Sequence, residues 1–216
     1  MTEFVAYGVP GSPFLRSVLM TLIEKSAPYR LEAIKPGDSK RESYLKLHPF
    51  GRIPAFKHGD FVIYETQAIL RYLDAALPSP ALQPKEPKAI ARMNQFIGIN
   101  DWYLFPQVLR VIAFQRIVGP ALLGLKTDEA AVAAAVPDAH KCVRALEDLI
   151  GVGDFLVGDE LTLADLMIAP QIDFLAMTPE GDSVLKGTKL LSWLGRMNER
   201  ASMKTTFAAE LFRKAA

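Results

Sequence analysis

Serine 12 sits in the run "GVPGSPFLRSV" (Gly8 to Val18), between a Gly-Pro-Gly turn and a stretch with helical periodicity. A hydroxyl at the mouth of a helix can cap the free amides of the first turn or hold an anion at the positive end of the helix dipole. Two further stretches carry groups suited to an anionic or peptide-like ligand. "GRIPAF" (51 to 56) places an X-Pro bond at the opening of a strand, where a cis proline would turn a backbone amide and carbonyl out of the sheet. "YETQAIL" (64 to 70) puts Glu65 and Thr66 at the start of a helix, whose free N–H groups and dipole suit a carboxylate. Each also has a plain structural reading, as a strand-edge proline and as a Thr N-cap with an acid in the first turn.

Other chemistries are poorly supplied. The single cysteine, Cys142, excludes an internal disulfide and any CxxC site, and it reads as a small buried apolar residue. His48, His58 and His140 are too scattered for metal ligation, so no metal is expected. The 216 residues are half hydrophobic and carry 25 basic against 24 acidic side chains. That balance gives no basic excess for nucleic acid or an anionic membrane surface. The N-terminus "MTEFVAYG" lacks a targeting pattern, and no window approaches the ~18 apolar residues of a membrane span. A soluble cytosolic protein is expected, with neither nucleic acid nor membrane as partner.

The elements that must position these groups change period several times in the first part of the chain. "EFVAY" (3 to 7) reads as a strand, Phe14, Leu15, Val18, Leu19, Leu22 and Ile23 recur at helical spacing, and "YRLEAIK" (29 to 35) reads as a second strand. "KRESYLKLHPFG" suggests a short helix stopped by Pro49 and Gly51. "IPAFK" and "FVIY" flank His58-Gly59-Asp60 as a tight hairpin, and residues 65 to 77 close the unit as a helix. The order βαβαββα is that of the thioredoxin fold.

Pro78, Pro80, Pro84 and Pro87 mark residues 78–87 as a linker. Residues 88–216 then read as an all-α bundle: an amphipathic run to about Val118, an alanine-rich run near 128 to 150, another from Leu163 and a last from about Leu190. Pro106 should kink the first of these. "GDELTLAD" (158 to 165) fits a capping box of Thr162 and Asp165, with Leu161 and Leu166 at staple positions.

The joint occurrence of Ser12, "HPFGRIP" (48 to 54), Glu65-Thr66, the proline-rich linker and the capping box, in that order, resembles the cytosolic glutathione transferases over nearly the whole chain. The first domain looks closest to the serine-using plant-type and bacterial classes. Three positions depart from the family's pattern. Thr66 stands where Ser is usual, His48 where Asn is usual, and Ser12 is followed by Pro as in the cysteine-using relatives.

The resemblance implies an α/β thioredoxin-like domain over 1–77 that binds glutathione, a linker over 78–87, and an all-helical domain over 88–216 that contributes the co-substrate site. It implies that Ile53 pairs its backbone with the cysteinyl unit beside cis-Pro54, that Glu65 meets the γ-glutamyl ammonium, and that Thr66 meets the γ-glutamyl carboxylate. Lys40 matches a basic family position near the glycine carboxylate, with Arg52 as its aid. Ser12 would donate a hydrogen bond to the thiolate, and Tyr7, at the end of the first strand, is its rival. For the hydrophobic electrophile, Tyr103, Gln107, Arg110 and Phe114 fall at helical steps. Tyr103, Gln107 and Phe114 are therefore nominated, together with Val9, Pro10 and Phe14, for a site between the domains.

A detoxifying transferase follows, acting as a homodimer, with glutathione as co-substrate and no cofactor. The alternatives on the same thiolate are an isomerase, dehalogenase, peroxidase or ether lyase. A non-catalytic ligand-binding module is the reading outside catalysis.

Overall fold

The computed structural model describes residues 3–207. These form two compact units that do not follow chain order strictly: residues 3–83 gather with 201–207, and residues 84–200 form the other unit.

In the first unit, β1 (Phe4–Gly8) pairs parallel with β2 (Tyr29–Ala33) and antiparallel with β3 (Ala55–His58), which pairs antiparallel with β4 (Phe61–Tyr64). The sheet order is β2-β1-β3-β4. α1 (Pro13–Glu24) connects β1 to β2, α2 (Glu42–Leu45) lies between β2 and β3, and α3 (Thr66–Ala76) follows β4. The alternation of β1 decides what each residue faces. Phe4 stacks on Phe56 at 5.9 Å and on His58 at 4.3 Å, and His58 Nδ1 lies 2.6 Å from the Tyr72 hydroxyl of α3. Gly8 lies so close to Leu15 of α1 that an added Cβ would meet its methyls at 3.2 Å. Phe4, Ala6 and Gly8 therefore face the α1/α3 layer, and Val5 and Tyr7 face the other way.

α1 is buried on almost every side. Its apolar residues Leu15, Val18, Leu19 and Leu22 enter the core, each burial worth about 1.5–3 kcal/mol. Its buried hydroxyls are spent on the preceding turn, Ser17 on the Pro13 carbonyl at 3.1 Å and Thr21 on the Ser17 carbonyl at 2.8 Å. Against the same helix packs a late segment, α10 (Ala201–Thr206), where the Ser202 hydroxyl donates to Glu24 Oε1 at 2.6 Å and Arg16 donates to the Met203 carbonyl at 3.4 Å. These contacts place the segment with the first unit.

The second unit is helical. α4 (Pro87–Ile99) is capped by the Glu86 carboxylate, which accepts from the Ala89 amide at 2.9 Å. The expected single run to Val118 does not continue as one kinked helix. The backbone widens into a π-helix over Asn100–Leu109, which contains Pro106, and again over Phe114–Val118, before α5 (Gly119–Leu123). The buried positions Asn100, Leu104 and Val108 recur at steps of four, with Leu109 beside the last, so one face of this wide helix enters the core.

α6 (Glu129–Leu149), α7 (Leu163–Ala176), α8 (Pro179–Leu185) and α9 (Lys189–Asn198) complete the unit. α7 is its central helix, buried from Leu163 through Ile172. The expected capping box is present, with Asp165 Oδ2 accepting from the Thr162 amide and hydroxyl at 2.9 Å each. Arg116 ties the second π-helical stretch to α6 and α8, donating to both Glu129 and Glu180. Among the described residues, no helix is long and apolar enough to cross a membrane.

Candidate functional site

Ser12 occupies the N-cap position of α1, half-buried, with Pro13 at the first helical position. Its amide donates to the Val9 carbonyl at 3.1 Å and its carbonyl accepts from the Arg16 amide at 2.8 Å. The hydroxyl makes no capping bond. Thr178 and Thr188, with φ of −106° and −87°, do cap α8 and α9 through their side chains, whereas Ser12 has φ of −59°. The first of the two readings of this serine, a hydroxyl consumed by its own helix, is thereby excluded. The side chain keeps its proton at the positive end of a twelve-residue helix.

Tyr7 is half-buried on the sheet face opposite α1, in register with Glu32 of β2. The strand alternation that brings Gly8 against Leu15 turns the phenol away from that helix.

The β1/β3 register pairs Tyr7 with Ala55, so the residues just before Ala55 lie beside the exit of β1, from which residues 9–12 lead to Ser12. There the Ile53–Pro54 bond is cis. Pro54 is buried and Ile53 half-buried, ahead of the strand proper. The loop before them is held by the Gly51 amide donating to the His48 carbonyl at 2.8 Å and by Lys40 Nζ donating to the Phe50 carbonyl at 3.3 Å. Gly51 has φ of 58°, and a Cβ there would lie 2.8 Å from the Ser39 carbonyl oxygen and 3.0 Å from Lys40 Nζ. The positive φ and the Ser39 carbonyl, which cannot move aside as a side chain can, hold this position to glycine.

Glu65 is the N-cap residue of α3, exposed, with φ of 70°. For a side-chain-bearing residue this conformation costs of order 1–3 kcal/mol and persists where the surroundings impose it. Thr66 follows, 7% exposed. The first amides of α3 have no acceptor within the helix, so a threonine hydroxyl, free N–H groups and a strained acidic residue meet at one helix end.

His48, which the sequence marked only as a departure from a family pattern, is buried at 2% exposure between these pieces. Its ring stacks on Tyr64 at 4.7 Å, and Phe50 sits edge-on to both rings at 6.2 Å. Burial pushes its imidazole below the ordinary histidine value. The Glu65 carboxylate pulls it back up, and Arg52 and Lys40 push it down. Arg52 itself is exposed.

Val9 and Pro10 immediately precede Ser12 and Phe14 follows it, all half-buried in the first unit. In the second unit, Tyr103 is 53% exposed and Gln107 is exposed, four residues apart on the solvent side of the π-helix. The wider turn alters the expected common face: Arg110 falls after the π stretch ends, and half-buried Phe114 opens the next one. An open groove of about 380 Å³ runs along α6 beside Pro137, His140 and Arg144, and none of the candidate residues lines it.

A four-stranded thioredoxin-like unit with a cis proline ahead of β3, together with a helical unit built around a capped central helix, defines the class. The profile for the glutathione S-transferase N-terminal domain matches residues 7–81, and that for its C-terminal domain matches residues 129–196. A glutathione S-transferase of Hyoscyamus muticus is 32% identical, the match covering 80% of this chain and 82% of that one. Glutathione S-transferase F7 of Arabidopsis thaliana is 29% identical over 94% of this chain and 99% of its own. The crystal structure of glutathione transferase F2 from Populus trichocarpa superposes with a TM-score of 0.83 at 26% identity, covering 98% and 99% of the two chains. The chain belongs to the glutathione S-transferase family, an enzyme family of transferases.

Proposed function

We propose that this transferase activates glutathione through Ser12. The observation that carries this reading is the uncommitted Ser12 hydroxyl at the N-terminus of α1, beside the exit of β1. A free thiol has a pKa of about 8.5, so only a few per cent is thiolate at pH 7. A hydrogen bond to a charged acceptor contributes about 1.5–3 kcal/mol, or roughly one to two pKa units. The thiol proton leaves to solvent, the thiolate attacks the electrophile and displaces its leaving group, and Ser12 keeps its own proton throughout. Positioning and electrostatics supply the catalysis, with no covalent enzyme intermediate and no cofactor beyond glutathione as co-substrate.

In this reading the tripeptide runs along the Ile53 backbone beside Pro54. Its γ-glutamyl ammonium meets Glu65, the adjoining carboxylate meets Thr66 and the free amides of α3, and the glycine carboxylate meets Lys40 with Arg52. Val9, Pro10 and Phe14 offer apolar surface next to Ser12 for a small hydrophobic electrophile. The protein acts in the cytoplasm as a homodimer. Tyr7, on the far face of the sheet, leaves the thiol to Ser12.

Glutathione-dependent rates on a panel of aryl halides, epoxides, peroxides and disulfides test the proposal. Conjugation should dominate, and Ser12→Ala should lose roughly ten- to a hundredfold in kcat/KM. Unchanged rates in Ser12→Ala would return the role to Tyr7.

A further inference from the structure

Arg16 and Met203 stand 187 residues apart in the chain and meet inside the first unit. Arg16 lies one helical turn beyond Ser12, and its backbone amide donates to the Ser12 carbonyl at 2.8 Å. Its side chain is turned inward. The residue is 3% exposed, Nη2 donates to the Met203 carbonyl at 3.4 Å and lies 3.6 Å from Met203 Sδ, and the guanidinium carbon stands 5.5 Å from the centre of the Phe207 ring. The Met203 carbonyl belongs to the last turn of α10, the end of a helix at which an arginine is favoured. Ser202 anchors the other end of the segment, donating to Glu24 Oε1 at 2.6 Å, and the Thr206 hydroxyl donates back to the Ser202 carbonyl at 2.7 Å. Ser202 meets Glu24 while Phe207 meets Arg16, so residues 201–207 run antiparallel to α1, toward the end that carries Ser12. On α1 itself, the Ser17 hydroxyl holds the Pro13 carbonyl at 3.1 Å.

We propose that Arg16 is a positioning residue for the thiol chemistry: clamped between Met203 and Phe207, it fixes the turn of α1 that presents the Ser12 hydroxyl, which makes residues 201–207 part of the glutathione-activating unit. This rests on the reading of Ser12 given above. A hydrogen bond is directional and weakens steeply once its angle falls below ~120°. A first turn released from the 201–207 segment lets the hydroxyl swing away from the sulfur, and a small misplacement of a catalytic group is costly in rate. The loss falls on the thiolate, because the groups assigned to the ends of the tripeptide stand on other elements, Glu65 and Thr66 at the head of α3 and Lys40 in the short helix Asp38–Lys40. Arg16 therefore acts on ionisation and turnover rather than on affinity for the tripeptide.

The test uses three variants of the full chain. Arg16→Met keeps the aliphatic stem and removes the donor, Arg16→Lys keeps a donor for the Met203 carbonyl, and Phe207→Ala keeps the guanidinium and removes only the ring beside it. In Arg16→Met the pKa of bound glutathione, read by thiolate absorbance, should rise by about half a unit or more above the parent value, and kcat for conjugation should fall about three- to tenfold. Affinity for S-methylglutathione, whose sulfur does not ionise, should stay within about twofold by calorimetry. Arg16→Lys should recover most of both effects. Phe207→Ala, at a position 36% exposed, should move the thiol pKa in the same direction by a smaller amount, which separates the clamp from the charge. Melting curves verify folding, and Phe207→Ala decides where Arg16→Met does not fold. A thiol pKa equal to that of the parent in the deciding variant, or a loss of S-methylglutathione affinity as large as the loss of kcat, overturns the role of Arg16 alone. A parent whose bound thiol keeps its free pKa overturns the reading of Ser12, and this inference with it.

Discussion

Lys25 Nζ lies 2.6 Å from Asp74 Oδ1, with 0% and 8% of the two side chains exposed. The ammonium also donates to the Leu77 carbonyl at 3.2 Å and the Asp74 carbonyl at 3.4 Å, so it satisfies the last turn of α3. The Asp74 carboxylate reaches on to the Leu82 amide at 2.8 Å and to Gln83 Nε2 at 3.0 Å. One ion pair therefore fixes α1, the end of α3 and the first linker residues together. Asp74→Ala should destabilise the protein by about 3–5 kcal/mol in urea unfolding, because it strands a buried ammonium. Lys25→Met should cost less, since Asp74 keeps two donors.

The same pair sets part of the acid response. Burial alone would raise the Asp74 carboxyl, but the bonds from Lys25, Gln83 and Leu82 more than offset it and hold it below the usual carboxylate range. A depressed carboxyl contributes stability that is complete above its unfolded value, about 3.9, and is lost as pH falls through the folded value. Melting temperatures from pH 6 to 3 should therefore fall less steeply in Asp74→Asn than in the parent.

In the second unit, Asp165 accepts from the Leu156 amide at 2.8 Å, the Trp193 indole at 2.9 Å, and the Thr162 amide and hydroxyl at 2.9 Å. Asp165→Ala leaves these buried donors unpaired and should cost about 3–5 kcal/mol. Asp165→Asn, which still accepts through one oxygen, should cost about 1–3 kcal/mol. Guanidinium unfolding followed by Trp193 fluorescence in a Trp102→Phe background measures both.

Glu65→Gly should move stability and binding in opposite directions. Glycine at this position removes the cost of φ at 70° and should stabilise the fold by about 1 kcal/mol in thermal unfolding. The same Glu65→Gly change removes the counterion for the ammonium, so glutathione affinity measured by calorimetry should drop at least about tenfold. A variant that loses stability and keeps affinity would remove Glu65 from the site.

Much of this was legible in the residues themselves. The period changes from "EFVAY" to "FVIY" marked four strands, and Gly59-Asp60 marked the hairpin that closes β3 on β4. The Thr162/Asp165 box was readable because both partners lie three residues apart. Features set by distant contacts were not. The return of α10 to α1 depends on Ser202 meeting Glu24 across the whole chain. The π-helix around Pro106 buries Leu104 and Val108, a spacing of four that also passes for an α-helical stripe. His48 was visible as a substitution, but its burial against Tyr64 comes from pairing a loop with a strand end, which local spacing does not encode.

Ionisation of the bound thiol tests the role of Ser12 most directly. Thiolate absorbance of glutathione bound to the parent and to Ser12→Ala, titrated from pH 5 to 10, should give a pKa depressed by roughly one to two units in the parent and close to the free value in the variant. Equal depression in both proteins, or none in the parent, would contradict it.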